Sequence, residues 1–224
     1  MEYKYELHCH TGPVSRCASV DPDRLVEIYD KKGYSGIVLT DHFSPMTFML
    51  KGPVSLYAPK TAIDFYLSSY TRLKHYNDEG FTVLLGLELR HHFTVNDYLV
   101  YGVEEEWLRA QENPLMWNSK KMSQKVHEAG YLVYQAHPFR KFIKRCEPSR
   151  LDGIEVFNGH TDSARNALAL EWAESLGKPM ISGSDCHRED DAATGGIITA
   201  RPVKNNADLL EVLRSGEYEL IRNK

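Results

Sequence analysis

Ser182-Gly183-Ser184-Asp185-Cys186-His187 and Glu6-Leu7-His8-Cys9-His10 each set two metal-competent side chains one residue apart, directly behind an apolar run. In an extended strand, residues i and i+2 face the same way. His8 and His10 can therefore converge on one point, and Asp185 and His187 can do the same. Nearly the whole chain separates the two pairs, yet both suit one polynuclear metal centre. Cys9 and Cys186, each between two candidate ligands, are assigned to the opposite face as small buried residues.

Between these pairs the pattern alternates between strand and helix. Residues 3–9 read as a strand. Asp21-Pro22 is an N-cap followed by a first-turn proline, Leu25, Val26, Ile28 and Tyr29 supply a helical face, and Gly33 is a stop. Further strands are expected at 36–40, 82–87, 98–103, 131–134, 153–157 and 179–182, with a short closing strand at 217–221. Helices are expected at about 61–78, from a Ser119 cap to Ala129, over 162–176 and at about 206–215. Residues 43–60 show no period and contain Pro45, Gly52, Pro53 and Pro59. They read as a long loop, either a lid or substrate wall or a disordered surface segment. Phe48 and Tyr57 could stack a base or a ring there. No repeat or linker divides the chain, so a single domain over 1–224 is expected.

The alternation predicts an α/β fold with a mainly parallel sheet, open or closed into a barrel. His8/His10, Asp41/His42, Glu88, His137, Asn158/His160 and Asp185/His187 all fall at the carboxyl ends of predicted strands. In a barrel of strands and helices that face carries the active site. Histidine nitrogen mixed with carboxylate oxygen suits zinc, manganese or iron(II) and is typical of hydrolytic centres.

Composition bounds the partners. The chain has 224 residues, 42% apolar and 26% charged, with a net charge of −4 and no long basic run. That argues against nucleic acid as the main partner. No apolar stretch approaches the roughly 18 residues of a membrane span, and Met1 to Glu6 lacks a signal-peptide core, so a cytoplasmic protein with no membrane partner is expected. The four cysteines are not spaced as a disulfide framework. Neither charge nor pattern sets an oligomeric state.

Five pieces together resemble the PHP (polymerase and histidinol phosphatase) domain family. They are Glu6-Leu7-His8-Cys9-His10-Thr11, Leu39-Thr40-Asp41-His42, Gly86-Leu87-Glu88, Ala136-His137-Pro138 and Gly183-Ser184-Asp185-Cys186-His187. They occur in the family's order and span residues 6 to 187. The resemblance implies a distorted, TIM-like (β/α)7 barrel with two or three divalent metal ions (Zn, Mn or Fe) at the strand ends. It also implies phosphoester hydrolysis by a metal-activated water. Carried over residue by residue, His8, His10, Glu88 and Asp185 would hold one metal. Glu88 would bridge to a second, with His137, and His42 and His187 would help hold a third. The chain departs from the family pattern at Glu6, where many members have aspartate. It departs again at Ser15 and Arg16, where many have a histidine or aspartate, and at Asn96-Asp97, where many have a histidine.

Outside the ligand set, Arg140 could clamp a phosphate with its planar fork, and Arg16 offers the same. His137, His160 and a metal-bound water are all open as leaving-group acid. His91 and His92 read as loop histidines, His75 and His127 as structural helix residues, and Asp41 as a residue that supports a ligand rather than coordinating. The expected function is hydrolysis of a small phosphorylated molecule. A metal-dependent C–N or C–O hydrolase and a non-catalytic metal-binding homologue are the alternatives.

Overall fold

The computed structural model describes residues 2–50, 59–92 and 94–223. Along the chain come β1 (Tyr3–Cys9), α1 (Pro22–Lys31), β2 (Gly36–Leu39), β3 (His42–Phe43), α2 (Pro45–Leu50), α3 (Pro59–Leu73), β4 (Thr82–Leu85), β5 (Leu87–Arg90) and β6 (Asp97–Tyr101). Then follow α4 (Glu105–Arg109), α5 (Ser119–Glu128), β7 (Leu132–Gln135), β8 (Gly153–Asn158), α6 (Ser163–Leu176), β9 (Met180–Gly183), β10 (Gly195–Thr199), α7 (Asn206–Ser215) and β11 (Tyr218–Arg222).

These strands form two mixed sheets, ordered β11-β10-β1-β2-β4 and β3-β5-β6-β7-β8-β9. Gly86 separates β4 from β5, and so links the sheets. A Cβ there would lie 2.9 Å from side-chain carbons of Val38 and Thr40, so glycine is what lets the chain pass. A parallel bridge between Cys9 and Cys186 brings the end of β1 beside the segment after β9.

The pairing is less parallel than the alternation predicts. β6 runs antiparallel to β5 and β7, and β10 runs antiparallel to β1 and β11. Only residues 91–96 join β5 to β6, too few for the helical crossover that a parallel pair needs. This reversal matters for the site. It brings the amino end of β6, at Asp97, into register with Arg90 at the carboxyl end of β5.

Four local expectations are corrected. Residues 45–50 are helical rather than loop. Glu88 sits inside β5 instead of ending a strand. Asn118, accepting from the Lys121 amide, caps α5, and Ser119 is its first residue. Phe48 cannot stack on a ligand, because it is 1% exposed and packs edge-on against Phe43, with ring centroids 5.0 Å apart. Tyr57 and the rest of 51–58 lie outside the described residues.

The helices cover the sheets through the faces that their periods predict. Leu25, Val26, Ile28 and Tyr29 of α1 pack with Ile37, Leu39 and Val83. Asp21 caps this helix by accepting from the Asp23 amide, and Gly33, at φ +75, follows it. Leu209, Val212 and Leu213 of α7 pack on Tyr101, Leu132 and Tyr134. Each such aliphatic side chain contributes about 1.5–3 kcal/mol when fully buried. α6 differs. Its buried residues are Asn166, Ala169 and Ala173, whereas Leu168 and Leu176 are exposed. Ala173 packs with Ile154 and Val156 of β8, with Leu170 partly buried against them, so small residues set the approach of this helix while Leu168 and Leu176 turn outward. Among the described residues no helix is long and apolar enough to cross a membrane.

Candidate metal centre

The site begins with a fault in β1. Glu6 pairs with Ile37 but Cys9 with Leu39, so β1 carries one extra residue and bulges. Within the bulge the amides of Leu7 and His8 turn to Glu6 Oε1, at 3.0 and 2.9 Å. The same carboxylate accepts from the Ser184 amide at 2.9 Å, the Ser184 hydroxyl and the Tyr29 hydroxyl at 2.7 Å. Burial pushes the Glu6 carboxyl up to about 7, against the pull of these hydrogen bonds. Glu6 thus ties the strand carrying His8 to the residue that precedes Asp185. Gly183 completes the fit: a Cβ on it would meet His8 Cβ at 2.4 Å.

The structure brings all seven ligand candidates together. His8 Nε2 and His10 Nε2 lie 3.3 and 3.1 Å from Asp185 Oδ1. Glu88 sits between four histidines: Oε1 is 3.4 Å from His8 Nε2 and 3.0 Å from His137 Nε2, and Oε2 is 3.5 Å from His10 Nε2 and 2.5 Å from His42 Nδ1. Among the described residues, three groups have ligand atoms within 4.8 Å of one another: His8/His10/Asp185, His8/Glu88/His137 and His10/His42/His187. Asp185 at φ +54 and His137 at φ +28 occupy backbone conformations that non-glycine residues rarely adopt. Strain of this kind, held by the surrounding structure, is characteristic of functional sites.

The donor chemistry fits divalent cations. His8 Nε2 and His137 Nδ1 are buried without a hydrogen-bond partner among the described residues. Each such atom costs about 1–3 kcal/mol unless something completes it. Burial opposes ionisation of Asp185, but His8, His10 and Arg140 hold its carboxyl well below the usual range. Burial likewise opposes ionisation of Glu88, and His42 and His8 outweigh it. Burial, reinforced by His42 and His187, drives the His10 pKa well down, so its ring stays neutral with a free lone pair. The same carboxylates outweigh burial at His8 and His42 and hold those two rings well above the usual histidine range, so a divalent ion binding there would displace their protons.

Supporting residues orient the ligands. Glu155 Oε1 lies 2.8 Å from His8 Nδ1, and Glu155 Oε2 accepts from the His137 amide at 2.8 Å and from Asn158 Nδ2 at 3.0 Å. With Nδ1 donating to Glu155, the neutral form of His8 presents its Nε2 lone pair inward. Sequence reasoning missed Glu155. The available signal was a carboxylate inside the apolar run Gly153-Ile154-Glu155-Val156-Phe157. Asp41 accepts from the Thr11 amide, the Thr11 hydroxyl and the Ser15 hydroxyl at 2.6–2.7 Å, a supporting role and not coordination. Asp97 is clamped by Arg90 through two hydrogen bonds, and its nearest approach to His137 is 3.9 Å.

The clusters open into a cavity of about 840 Å³ lined by Arg16, Arg90, Arg140 and Arg188 together with His160 and His187. Ser44, Met46 and Thr47 form part of its wall. Arg140 donates to Asp185 at 2.5 Å and to Asn158 at 2.9 Å, which anchors its guanidinium at the mouth. His160 stands outside the buried clusters, half-exposed, with Nε2 3.0 Å from Asp191 and its ring 5.3 Å from that of His187. His91 is buried, and burial lowers its pKa to about 4. His75 and His127 lie on the surface away from the site, bonded to the Arg72 carbonyl and to Asp152.

Comparison with known proteins agrees with this architecture. A family model described as PHP-associated matches residues 164–218. A two-domain Bacteroides vulgatus protein containing a predicted PHP-like metal-dependent phosphoesterase superposes with a TM-score of 0.69 at 16% identity, over 100% of this chain and 65% of that one. The lesion-specific endonuclease EndoQ of Pyrococcus furiosus gives 0.67 at 13% identity, over 98% of this chain and 58% of its own. An amidohydrolase of Chromobacterium violaceum, with bound sulfate and no metal, gives 0.59 at 12% identity over 97% of each chain. This chain therefore spans less than two thirds of the first two proteins. No curated protein matches its sequence. The family model thus matches the 164–218 segment, and the superpositions show a fold shared along the whole chain.

Proposed function

We propose that the protein is a metal-dependent phosphoesterase acting on a small phosphorylated substrate. The two sheets are read as one distorted (β/α)7 barrel, and residues 1–224 as one catalytic domain. The observation that carries the activity is the opening of three fused ligand groups, two buried and one half-buried, into a cavity ringed by four arginines. Such a mouth suits a phosphate dianion better than a neutral amide.

In this reading His8, His10, Glu88 and Asp185 hold one ion. Glu88 and His137 reach a second, and His42 and His187 serve a third beside His10. When bound, zinc, manganese or iron(II) supplies Lewis-acid polarisation of a phosphoryl oxygen and acidifies water. The chain's own groups do the rest. Arg140, fixed by Asp185 and Asn158, orients the incoming phosphate and offsets charge as it builds on the equatorial oxygens. Arg16, Arg90 and Arg188 raise the local concentration of anions.

Turnover of a phosphoester panel in the presence of manganese, zinc or iron(II), lost on chelation and in His10→Ala, is the expected result. Activity on amides or lactones with none on any phosphoester sinks the proposal.

His160 is assigned the proton transfer to the leaving oxygen. It lines the cavity and is paired with Asp191, while His137 is buried against Glu88. General acids contribute about 10²–10⁴-fold, and their help matters most for poor leaving groups. His160→Gln is therefore expected to slow alkyl phosphates by about 10²-fold or more and p-nitrophenyl phosphate much less. Equal slowing of both assigns that proton elsewhere.

A further inference from the structure

We propose that Cys17 is a ligand of the ion held by His10, His42 and His187, which makes this position a mixed thiolate–imidazole site. The inference rests on the polynuclear reading above and assigns a residue that the family resemblance leaves without a role.

The geometry begins with His187. Its Nδ1 donates to the Asp185 carbonyl at 2.7 Å, so the lone pair lies on Nε2, and Cys17 Sγ is 3.0 Å from that nitrogen. The His10 ring centroid is 4.4 Å from those of both His42 and His187. Sulfur therefore sits directly at the edge of the three-histidine group.

The loop that carries Cys17 is fixed. Gly12 donates to the Val20 carbonyl at 2.8 Å, and Ser19 donates to the His187 carbonyl at 2.9 Å. The second bond pins the loop to the segment that carries Asp185 and His187.

The neighbouring residues cannot fill the position. Ser15 Oγ is committed to Asp41 at 2.6 Å and accepts from the His42 amide at 3.0 Å. Arg16 is a cation. The remaining thiols are buried: Cys9 Sγ contacts the Val38 carbonyl at 3.5 Å and Cys186 Sγ the Arg188 carbonyl at 3.3 Å, while Cys146 lies in a separate apolar cluster. Cys17 is the exposed one, and it lines the cavity.

Binding forms one metal–sulfur bond and releases the thiol proton to solvent. A sulfur ligand biases this position toward zinc, iron(II) or cobalt and away from manganese and magnesium. The other two groups, built from imidazole and carboxylate, carry no such bias.

The test is cobalt(II) titration of the metal-stripped full-length protein. A sulfur-to-cobalt charge-transfer band in the near ultraviolet is expected, alongside the visible ligand-field bands. Cys17→Ser should lose the former and keep the latter, and Cys17→Asp should restore cobalt stoichiometry without the band. The weakest zinc site should lose affinity in Cys17→Ser by at least the ~10–100-fold that outer supporting residues cost. Alkylation gives an independent readout: iodoacetamide should label Cys17 in stripped protein, and zinc should protect it. Cobalt bound with no charge-transfer band, or a band that survives Cys17→Ser, overturns the role of Cys17 and leaves the polynuclear reading standing. Failure to bind any cobalt overturns both.

Discussion

Glu88→Gln is expected to lower kcat/KM by about 10³-fold or more, equivalent to ~4 kcal/mol of transition-state stabilisation, and to remove more than one equivalent of bound metal. The reason is position. Glu88 Oε1 and Oε2 together touch His8, His137, His10 and His42, and those four histidines are distributed over all three ligand groups. Glutamine keeps the shape but brings an amide with two donors and no charge into a pocket where the carboxylate is held ionised. A divalent ion beside it then loses both a ligand and the charge that balances its own. His42→Ala provides the contrast, because His42 belongs to the His10/His42/His187 group alone and should cost a single equivalent. Metal analysis of the two variants by plasma emission separates the outcomes. If Glu88→Gln retains the full metal content of the parent, the shared-carboxylate arrangement is wrong.

That the seven ligand candidates gather at one place was legible because the signals are local. A period of two in β1 sets His8 and His10 on one side, and a strand end followed by a polar pair marks Asp185 and His187. What escaped depends on contacts between distant segments. The direction of β6 follows from the shortness of the 91–96 connection, and it delivers Asp97 to the site from an amino end rather than a carboxyl end. Glu155 is an isolated charge in an apolar strand, and only the fold shows that it faces His8 Nδ1. Phe48 carries the composition of a ligand-stacking residue, yet α2 folds it into the core against Phe43. Ser15 stands where many family members have a ligand, and its hydroxyl instead joins Asp41 to the His42 amide.

Glu6→Ala carries the largest expected effect on stability, a loss of about 4 kcal/mol out of the ~5–15 kcal/mol typical of a folded protein. Five donors converge on this carboxylate: the amides of Leu7, His8 and Ser184 and the hydroxyls of Ser184 and Tyr29. All lie in a region without solvent access, Glu6 and Ser184 being 0% exposed. A buried donor left unmade costs ~1–3 kcal/mol, and the two hydroxyls can rotate toward other acceptors, so the three amides dominate the sum. The Leu7 and His8 amides lie within the bulge of β1 between Glu6 and Cys9, which turns them to the carboxylate. The bulge and the glutamate therefore depend on each other, and the bulge sets the approach of His8 to Asp185. Urea denaturation should show a lower midpoint with an unchanged slope. Zinc affinity should fall as well, by about 10–100-fold, as it does when a supporting partner of a ligand is removed. Glu6→Asp, the residue found in many family members, should recover most of both losses, because a carboxylate one methylene shorter can still collect amides from a bulged strand. An alanine variant within about 1 kcal/mol of the parent shows that water replaces the carboxylate, and the coupling between bulge and site then fails.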